Sequence, residues 1–125
     1  MNAVLAVAVG GALGSVGRYL VVDAMARALG VAFPWGTLVV NTLGGVAIGV
    51  LAAVFLARPE YGDWRPLLIT GVLGGFTTFS AFSLDAFGLA QRGQWASAAA
   101  YVAASVALSL IGTAAGWRLA RAWLA

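Results

Sequence analysis

The chain has 125 residues, of which 62% are apolar and 9% charged, whereas soluble domains contain roughly 25% charged residues. A soluble domain of this length could not bury so much apolar surface, so the composition predicts a membrane protein. The chain lacks cysteine and histidine, which excludes disulfides, imidazole catalysis and soft-metal sites, and its basic residues are single arginines, so no nucleic-acid partner is expected.

Charged and turn residues divide the chain into four apolar segments, each long enough to cross a bilayer as a helix. The predicted spans are residues 3–29, 36–57, 66–90 and 95–117. The first span has neither the positive region nor the cleavage site of a signal peptide, so we interpret it as part of the mature chain. The predicted fold class is therefore all-α transmembrane, with residues 1–125 as a single four-helix transmembrane domain.

The distribution of arginines predicts how the chain inserts. Four spans place both termini and the loop between the second and third spans on one side of the membrane. Because arginine asymmetry sets orientation, the small excess on this side predicts insertion in both orientations, and hence an antiparallel dual-topology homodimer. Pairs of glycines four residues apart indicate close helix contacts, either within one subunit or between two. The arginines on the side of the termini are Arg58, Arg65, Arg118 and Arg121, against Arg27 and Arg92 opposite.

The second and fourth spans carry polar side chains within apolar sequence. Asn41 lies in an uncharged segment, where its amide either joins helices by hydrogen bonds or donates to a passing solute. In the fourth span, hydroxyls recur every four residues, so Tyr101, Ser105 and Ser109 share one face. A single serine can bond to the carbonyl four residues earlier, whereas three in register favour a lined path.

Arg18 lies well inside the first predicted span. A charge at that depth is unfavourable unless it faces water or a partner, so we predict that Arg18 faces a wet vestibule. The alternatives are an ion pair with Asp23 or Asp85, or a side chain that extends to the interface.

The third span contains the stretch GVLGGFTTFSAFS, residues 71–83. Its glycines weaken a helix and its hydroxyls offer local hydrogen bonds, so the stretch predicts a broken helix. Unwound backbone at membrane depth lines a cavity or is buried in protein, and its free carbonyls can hold a hard cation. The alternative is a kink that serves packing alone.

Phe79 and Phe82 follow the predicted break on one helix face. An aromatic ring has a positive edge, so rings presented edge-on can attract a small anion without trapping it. With Asn41, Ser80 and Tyr101 as hydrogen-bond donors, they could replace the water shell of such an anion.

Three stretches, GGALGSVGRY, GTLVVN and GGFTTFSAF, together resemble the signature stretches of the Fluc fluoride channels, also called CrcB proteins. Order, spacing, length and the four-span plan agree over the whole chain. The resemblance implies a passive fluoride-selective channel, not an enzyme, that exports F⁻ for fluoride resistance. It also implies a homodimer with two pores in a bacterial or archaeal inner membrane. The chain departs from the usual family pattern at Ser15, Ala81 and Asp85.

The resemblance further implies roles for individual residues. Arg18 corresponds to the arginine of the aqueous vestibule. The backbone carbonyls of Gly74 and Thr77, from both subunits, correspond to those that hold a structural Na⁺ at the dimer centre. The fluoride pathway corresponds to Asn41, Phe79, Ser80, Phe82, Tyr101, Ser105 and Ser109.

Two other functions compete with a channel. A dual-topology proton-coupled multidrug transporter would share the size and the weak charge bias, but it needs a central acid. The first three spans offer only Asp23, near a helix end, and Asp85, late in the third span. A noncatalytic assembly subunit would use its polar residues for packing and conduct nothing. An enzyme is disfavoured because the spans contain no nucleophile with a base and no metal-ligand cluster.

Overall fold

A computed structural model of the protein describes residues 2–125, which contain helices and no strand. Four helical stretches are long and apolar enough to cross a membrane: Ala3–Leu29, Trp35–Ala57, Pro66–Gln91 and Trp95–Leu124. The prediction of an all-helical chain with four candidate spans is therefore confirmed. The last helix continues beyond the expected end at residue 117. The elements in order are α1 (Ala3–Leu29), α2 (Trp35–Ala57), a 3₁₀ helix (Pro59–Trp64), a π-helical segment (Pro66–Leu73), α3 (Gly74–Phe76), α4 (Phe79–Gln91) and α5 (Trp95–Leu124).

The first and third apolar stretches each end at a glycine with positive φ. Gly30 follows α1 with φ 80°, and Gly93 follows α4 with φ 73°. These dihedral angles suit glycine because a Cβ would be strained there. The amide of Gly30 closes α1 on the Ala26 carbonyl oxygen at 2.9 Å. Both connections at this end of the molecule are consequently short.

Helices α2 and α5 run parallel and meet backbone to backbone. Along this contact, Gly45 lies against Ser109, and one turn later Gly49 lies against Thr113. A Cβ on Gly49 would overlap the Thr113 carbonyl oxygen, so only glycine permits this approach. On the facing side of α5, Gly112 and Gly116 approach the backbone of α2 in the same way. We call this contact, formed by Gly45, Gly49, Gly112 and Gly116, the glycine seam.

Helix α1 packs in a similar way on the third apolar stretch. A Cβ on Gly71 would lie 2.9 Å from the Gly10 Cα, and one on Gly14 would lie 2.8 Å from the Phe76 amide nitrogen. The glycine pairs four residues apart therefore all make contacts within one subunit: Gly10 with Gly14, Gly45 with Gly49, and Gly112 with Gly116. Close backbone approach compensates for the missing hydrophobic drive between helices in lipid.

A small buried cluster joins α4 to α2 and α5. It consists of Leu38, Phe82, Leu89, Ala98 and Tyr101. The ring of Phe33, from the connection between α1 and α2, meets the Tyr101 ring edge-on at 5.5 Å between centroids. The cluster positions the first turn of α4, where Phe82 lies, beside α5. Many large apolar side chains elsewhere in the described chain are exposed, as expected of faces that meet lipid.

Candidate functional site

Thr77 and Thr78 separate α3 from α4 with extended backbone. Their φ and ψ angles are −77° and 157° for Thr77, and −153° and 121° for Thr78. The Thr77 amide still closes the preceding helix on the Leu73 carbonyl oxygen at 2.9 Å. The Thr78 hydroxyl accepts a hydrogen bond from the Ala81 amide at 3.1 Å, which caps the start of α4.

Asn41 completes the hydrogen bonding of this extended segment from α2. Its Nδ2 donates to the Thr78 carbonyl oxygen at 2.9 Å, and its Oδ1 accepts from the Thr78 amide at 2.8 Å. In an uninterrupted helix, the Thr78 amide would donate to the Gly74 carbonyl, four residues earlier. The side chain of Asn41 therefore replaces the missing helical bond and leaves the Gly74 carbonyl without that donor. An amide NH₂ has two hydrogens, so one remains for another acceptor.

An open groove of about 450 Å³ lies beside this segment, between α2, α5 and the third apolar stretch. The predicted site residues that line it are Asn41, Gly74, Thr77, Phe79, Phe82, Ser105 and Ser109. The remaining lining residues are apolar or threonine, and none of the lining side chains is ionisable. The structure thus brings together most of the predicted pathway and both predicted cation-binding carbonyl positions.

Phe79 and Phe82 form the aromatic part of the groove. Their ring centroids lie 5.3 Å apart with planes tilted by 53°. Phe82 is buried and also lies 5.3 Å from the Tyr101 ring, whereas Phe79 is 78% exposed. The two rings therefore reach from the subunit core to its surface, with neighbouring rings tilted rather than stacked.

The hydroxyls of the α5 stripe have different partners. The Ser105 Oγ is buried and has no hydrogen-bond partner among the described residues, although Ser105 lines the groove. Tyr101 is fully buried, lies outside the groove lining, and donates its hydroxyl to Asp85 Oδ2 at 3.2 Å. The Thr113 hydroxyl donates to the Ser109 carbonyl oxygen at 2.9 Å, so it is bonded to the backbone of its own helix, four residues earlier.

Ser80 and Arg18 lie outside the groove lining. The Ser80 Oγ is 3.3 Å from the Thr78 Oγ1 on the exposed side of α4. Arg18 is half-buried on α1 and makes neither of the ion pairs considered for it: Asp23 pairs with Arg27, and Asp85 accepts from Tyr101.

Thr78 is the site residue that the sequence reasoning missed. Its backbone receives both hydrogen bonds of Asn41, and its side chain caps α4. The signal was present in the stretch TTFSAF, because a threonine three residues before a helical amide is a common N-cap. The pairing with Asn41 joins positions 37 residues apart and depends on how the spans pack.

Comparison with known proteins identifies the family. A family model described as "CrcB-like protein, Camphor Resistance (CrcB)" matches residues 5–117. The chain belongs to the CrcB family. The resemblance recognised from the three sequence stretches is thereby confirmed.

The CrcB match extends to close relatives. The chain is 55% identical over 126 residues to a protein of Rhizobium meliloti, with 98% of each chain covered. It is 50% identical over 125 residues to one of Cereibacter sphaeroides, covering 100% of this chain and 99% of the relative. It is also 50% identical to one of Nitrobacter winogradskyi, with 94% of each covered. Each relative is named "Fluoride-specific ion channel FluC".

The CrcB match includes every residue of the groove, since the lining runs from Asn41 to Leu110. Together with the four candidate spans, membership of a channel family makes this chain a multi-pass membrane protein.

Proposed function

We propose that this chain forms a passive, fluoride-selective channel that exports F⁻ from the cytoplasm and so confers fluoride resistance. Membership of the CrcB family and the names of its close relatives support this function. The observation that carries it is the groove, which combines phenylalanine rings with neutral hydrogen-bond donors and has no ionisable lining residue.

The chemistry of the groove suits a small anion that must move. Ring edges carry partial positive charge, and neutral hydroxyl and amide donors can replace hydration without a fixed charge that would retain the ion. Ser105 has a buried hydroxyl with no partner among the described residues, and Asn41 has an amide hydrogen left after pairing with Thr78. Binding an ion would therefore cost neither group a hydrogen bond within the subunit, although the buried Ser105 hydroxyl would have to turn towards the groove.

The proposed channel is an antiparallel, dual-topology homodimer. One chain provides a groove that is open on one side, and Phe79, a large apolar ring, is exposed there. A second copy would cover the opening and complete each pathway. The small difference in arginine number between the two ends supports insertion of the two copies in opposite orientations.

We propose that the third span is a broken helix and that it holds a structural Na⁺ at the dimer centre. Gly74 and Thr77 line the groove at the end of a helical run, and the amide that would occupy the Gly74 carbonyl is bound to Asn41 instead. Carbonyl oxygens are suitable ligands for a hard cation. Replacing Na⁺ by a large organic cation should lower the thermal stability of the dimer in detergent, and unchanged stability would contradict this assignment.

The proposed location is the inner membrane of a bacterium, as the organisms of the close relatives suggest. Fluoride that enters as neutral HF dissociates in the cytoplasm, and an open selective pore lets the inside-negative potential expel the ion.

A proton-coupled multidrug transporter is the alternative, and CrcB membership argues against it. Such a transporter needs a carboxylate where cation and proton compete, whereas no acid lines the groove. Asp85, the candidate acid late in the third span, accepts a hydrogen bond from Tyr101 instead. Proton-coupled drug uptake that disappears in D85N would support the transporter.

The test is fluoride release from liposomes loaded with potassium fluoride. After valinomycin is added, vesicles that contain the protein should release F⁻, and vesicles loaded with chloride should release almost nothing. Absence of release from correctly assembled protein would contradict the channel and favour an assembly subunit.

A pair of variants localises the pathway. F79I removes the exposed ring of the groove, so fluoride release should fall at least tenfold. F87I removes another exposed ring from α4 that does not line the groove, and its release should match that of the parent protein. Equal rates in F79I and F87I would place the pathway elsewhere.

A further inference from the structure

A second polar recess lies at the opposite end of α4 from the two threonines. It has a volume of about 280 Å³ and is lined by Val31, Pro34, Leu84, Asp85, Gly88 and Arg92. Arg92 directly follows Gln91, where the third candidate span ends. The recess therefore opens at the end of the membrane-spanning region, beside the connection between α1 and α2.

Asp85 and Gly88 of α4 and Arg92, which caps this helix, lie on one helix face at positions i, i+3 and i+7. A Cβ placed on Gly88 would lie 3.6 Å from Arg92 Nη1, so the guanidinium folds back along the helix over Gly88. This direction brings it towards Asp85, yet no ion pair within 4.0 Å forms between Arg92 and any acid of residues 2–125. The guanidinium donors of Arg92 thus remain free of a carboxylate partner in the described chain.

The recess is connected to the groove by a series of contacts. Asp85 accepts the hydrogen bond of Tyr101 at 3.2 Å. The Tyr101 ring lies 5.3 Å from Phe82, and Phe82 lies 5.3 Å from Phe79 in the groove. Packed side chains therefore join the acid of the recess to the aromatic end of the groove.

The charges of the recess decide which solutes can enter. Asp85 alone would give it a negative field and repel anions, and Arg92 is the single cationic residue in its lining. We propose that Arg92 forms the site at which a small anion enters from water, offsetting Asp85 and holding fluoride at the end of α4 where the contacts that lead to the groove begin. This role rests on the proposed channel function.

Helix stabilisation is the structural alternative for Arg92. Arginines at helix C-termini interact favourably with the helix dipole, and Arg92 caps α4. Arg27 is the matched control, because it lies in the last turn of α1 and the sequence places it on the same side of the membrane. Arg27 is paired with Asp23 and does not line the recess.

The experiment compares R92Q, R92K and R27Q in the liposome assay, each first checked for correct assembly by gel filtration. Initial fluoride release is measured at low potassium fluoride concentration, where entry limits the rate. The ionic strength is set with an impermeant salt to about 0.01 M or about 1 M, for which the Debye length is about 30 Å or about 3 Å.

At low ionic strength, R92Q should slow release on the order of tenfold, the lower end of the range for electrostatic steering in charged clefts. R92K should keep most of the rate because it keeps the charge, and R27Q should match the parent protein. The difference between R92Q and the parent protein should disappear at about 1 M salt and at saturating fluoride.

Three results would overturn the entry site: a parent-like rate in R92Q, equal losses in R92Q and R92K, or an equal loss in R27Q. A parent-like R92Q together with a slow F79I would overturn the entry site alone. Absence of fluoride release from the parent protein would overturn the channel function as well.

Discussion

The glycine seam and the open groove are neighbouring regions that both involve α2 and α5. They differ in how closely the two helices approach and in whether their polar side chains are hydrogen-bonded. Along the seam, Gly49 lets the α2 backbone touch α5, and the Thr113 hydroxyl is bound within its own helix. One to two turns earlier, Asn41 and Ser105 add polar side chains to the two helices, which there form the wall of a groove. The seam is thus closed by backbone contact at its glycines, whereas the groove also carries polar side chains.

The two regions also differ in how well their polar groups are satisfied. In lipid, helices associate through close packing and hydrogen bonds rather than through hydrophobic burial, so a satisfied glycine contact stabilises the subunit. The Ser105 Oγ in the groove is buried without a partner among the described residues, an arrangement that costs about 1–3 kcal/mol for a buried polar group. We infer that the seam provides stability and that the groove gives up some stability for function.

The largest effect is expected from G49A, which breaks the seam. A Cβ at position 49 would overlap the Thr113 carbonyl oxygen and lie 2.9 Å from the Trp117 amide nitrogen, and backbone atoms cannot move aside as a side chain can. We expect a loss of about 3 kcal/mol in stability, visible as poor recovery of monodisperse protein in detergent.

G11A is the control for this seam variant. Its Cβ would lie 4.0 Å from the Gly71 carbonyl oxygen, an ordinary contact, so thermal stability should stay close to that of the parent protein. A stable G49A protein would show that the seam can separate without loss, contrary to the stabilising role assigned to it.

A smaller loss of stability is expected from N41A, which acts at the edge of the groove. It removes both hydrogen bonds to Thr78 and leaves a backbone amide and carbonyl unpaired, so we expect about 2 kcal/mol of destabilisation in thermal unfolding. S109A removes another polar groove side chain that has no bond to Thr78, and its unfolding temperature should not change. Equal stability of N41A and S109A would contradict the bridging role of Asn41.

S105A should reduce conduction without destabilising the protein, and it has the smallest expected loss of stability. The Ser105 Oγ has no partner to lose within the described subunit and its removal relieves a buried unpaired group, so the unfolding temperature should rise. Fluoride release should fall about tenfold, as for the loss of one hydrogen bond of about 1.4 kcal/mol to the ion.

T113V is the matched control for S105A on the same helix. It removes a hydroxyl that is bound within α5 and does not line the groove, so release should stay at the parent rate. A greater loss of release in T113V than in S105A would reverse the proposed division between seam and groove.

Several features of the site were predictable because they depend on local sequence. Apolar length gave the four candidate spans, and the clustering of glycines and threonines in residues 71–83 indicated where the third stretch changes conformation. The four-residue spacing of hydroxyls put Ser105 and Ser109 on one face, and both line the groove. The pattern did not show that Tyr101 turns to Asp85 instead, because that choice depends on the position of α4.

The sequence by itself determined the membrane class, the helical spans, the family and the residue types of the candidate pathway, since these follow from composition, periodicity and local motifs. Only the tertiary structure decided that the paired glycines make close contacts within one subunit and that Asn41 bridges to Thr78. It also decided that Arg18 lies outside the groove lining while Arg92 lines a recess of its own. These outcomes depend on which helix faces meet, and that is set by packing between residues far apart in the chain.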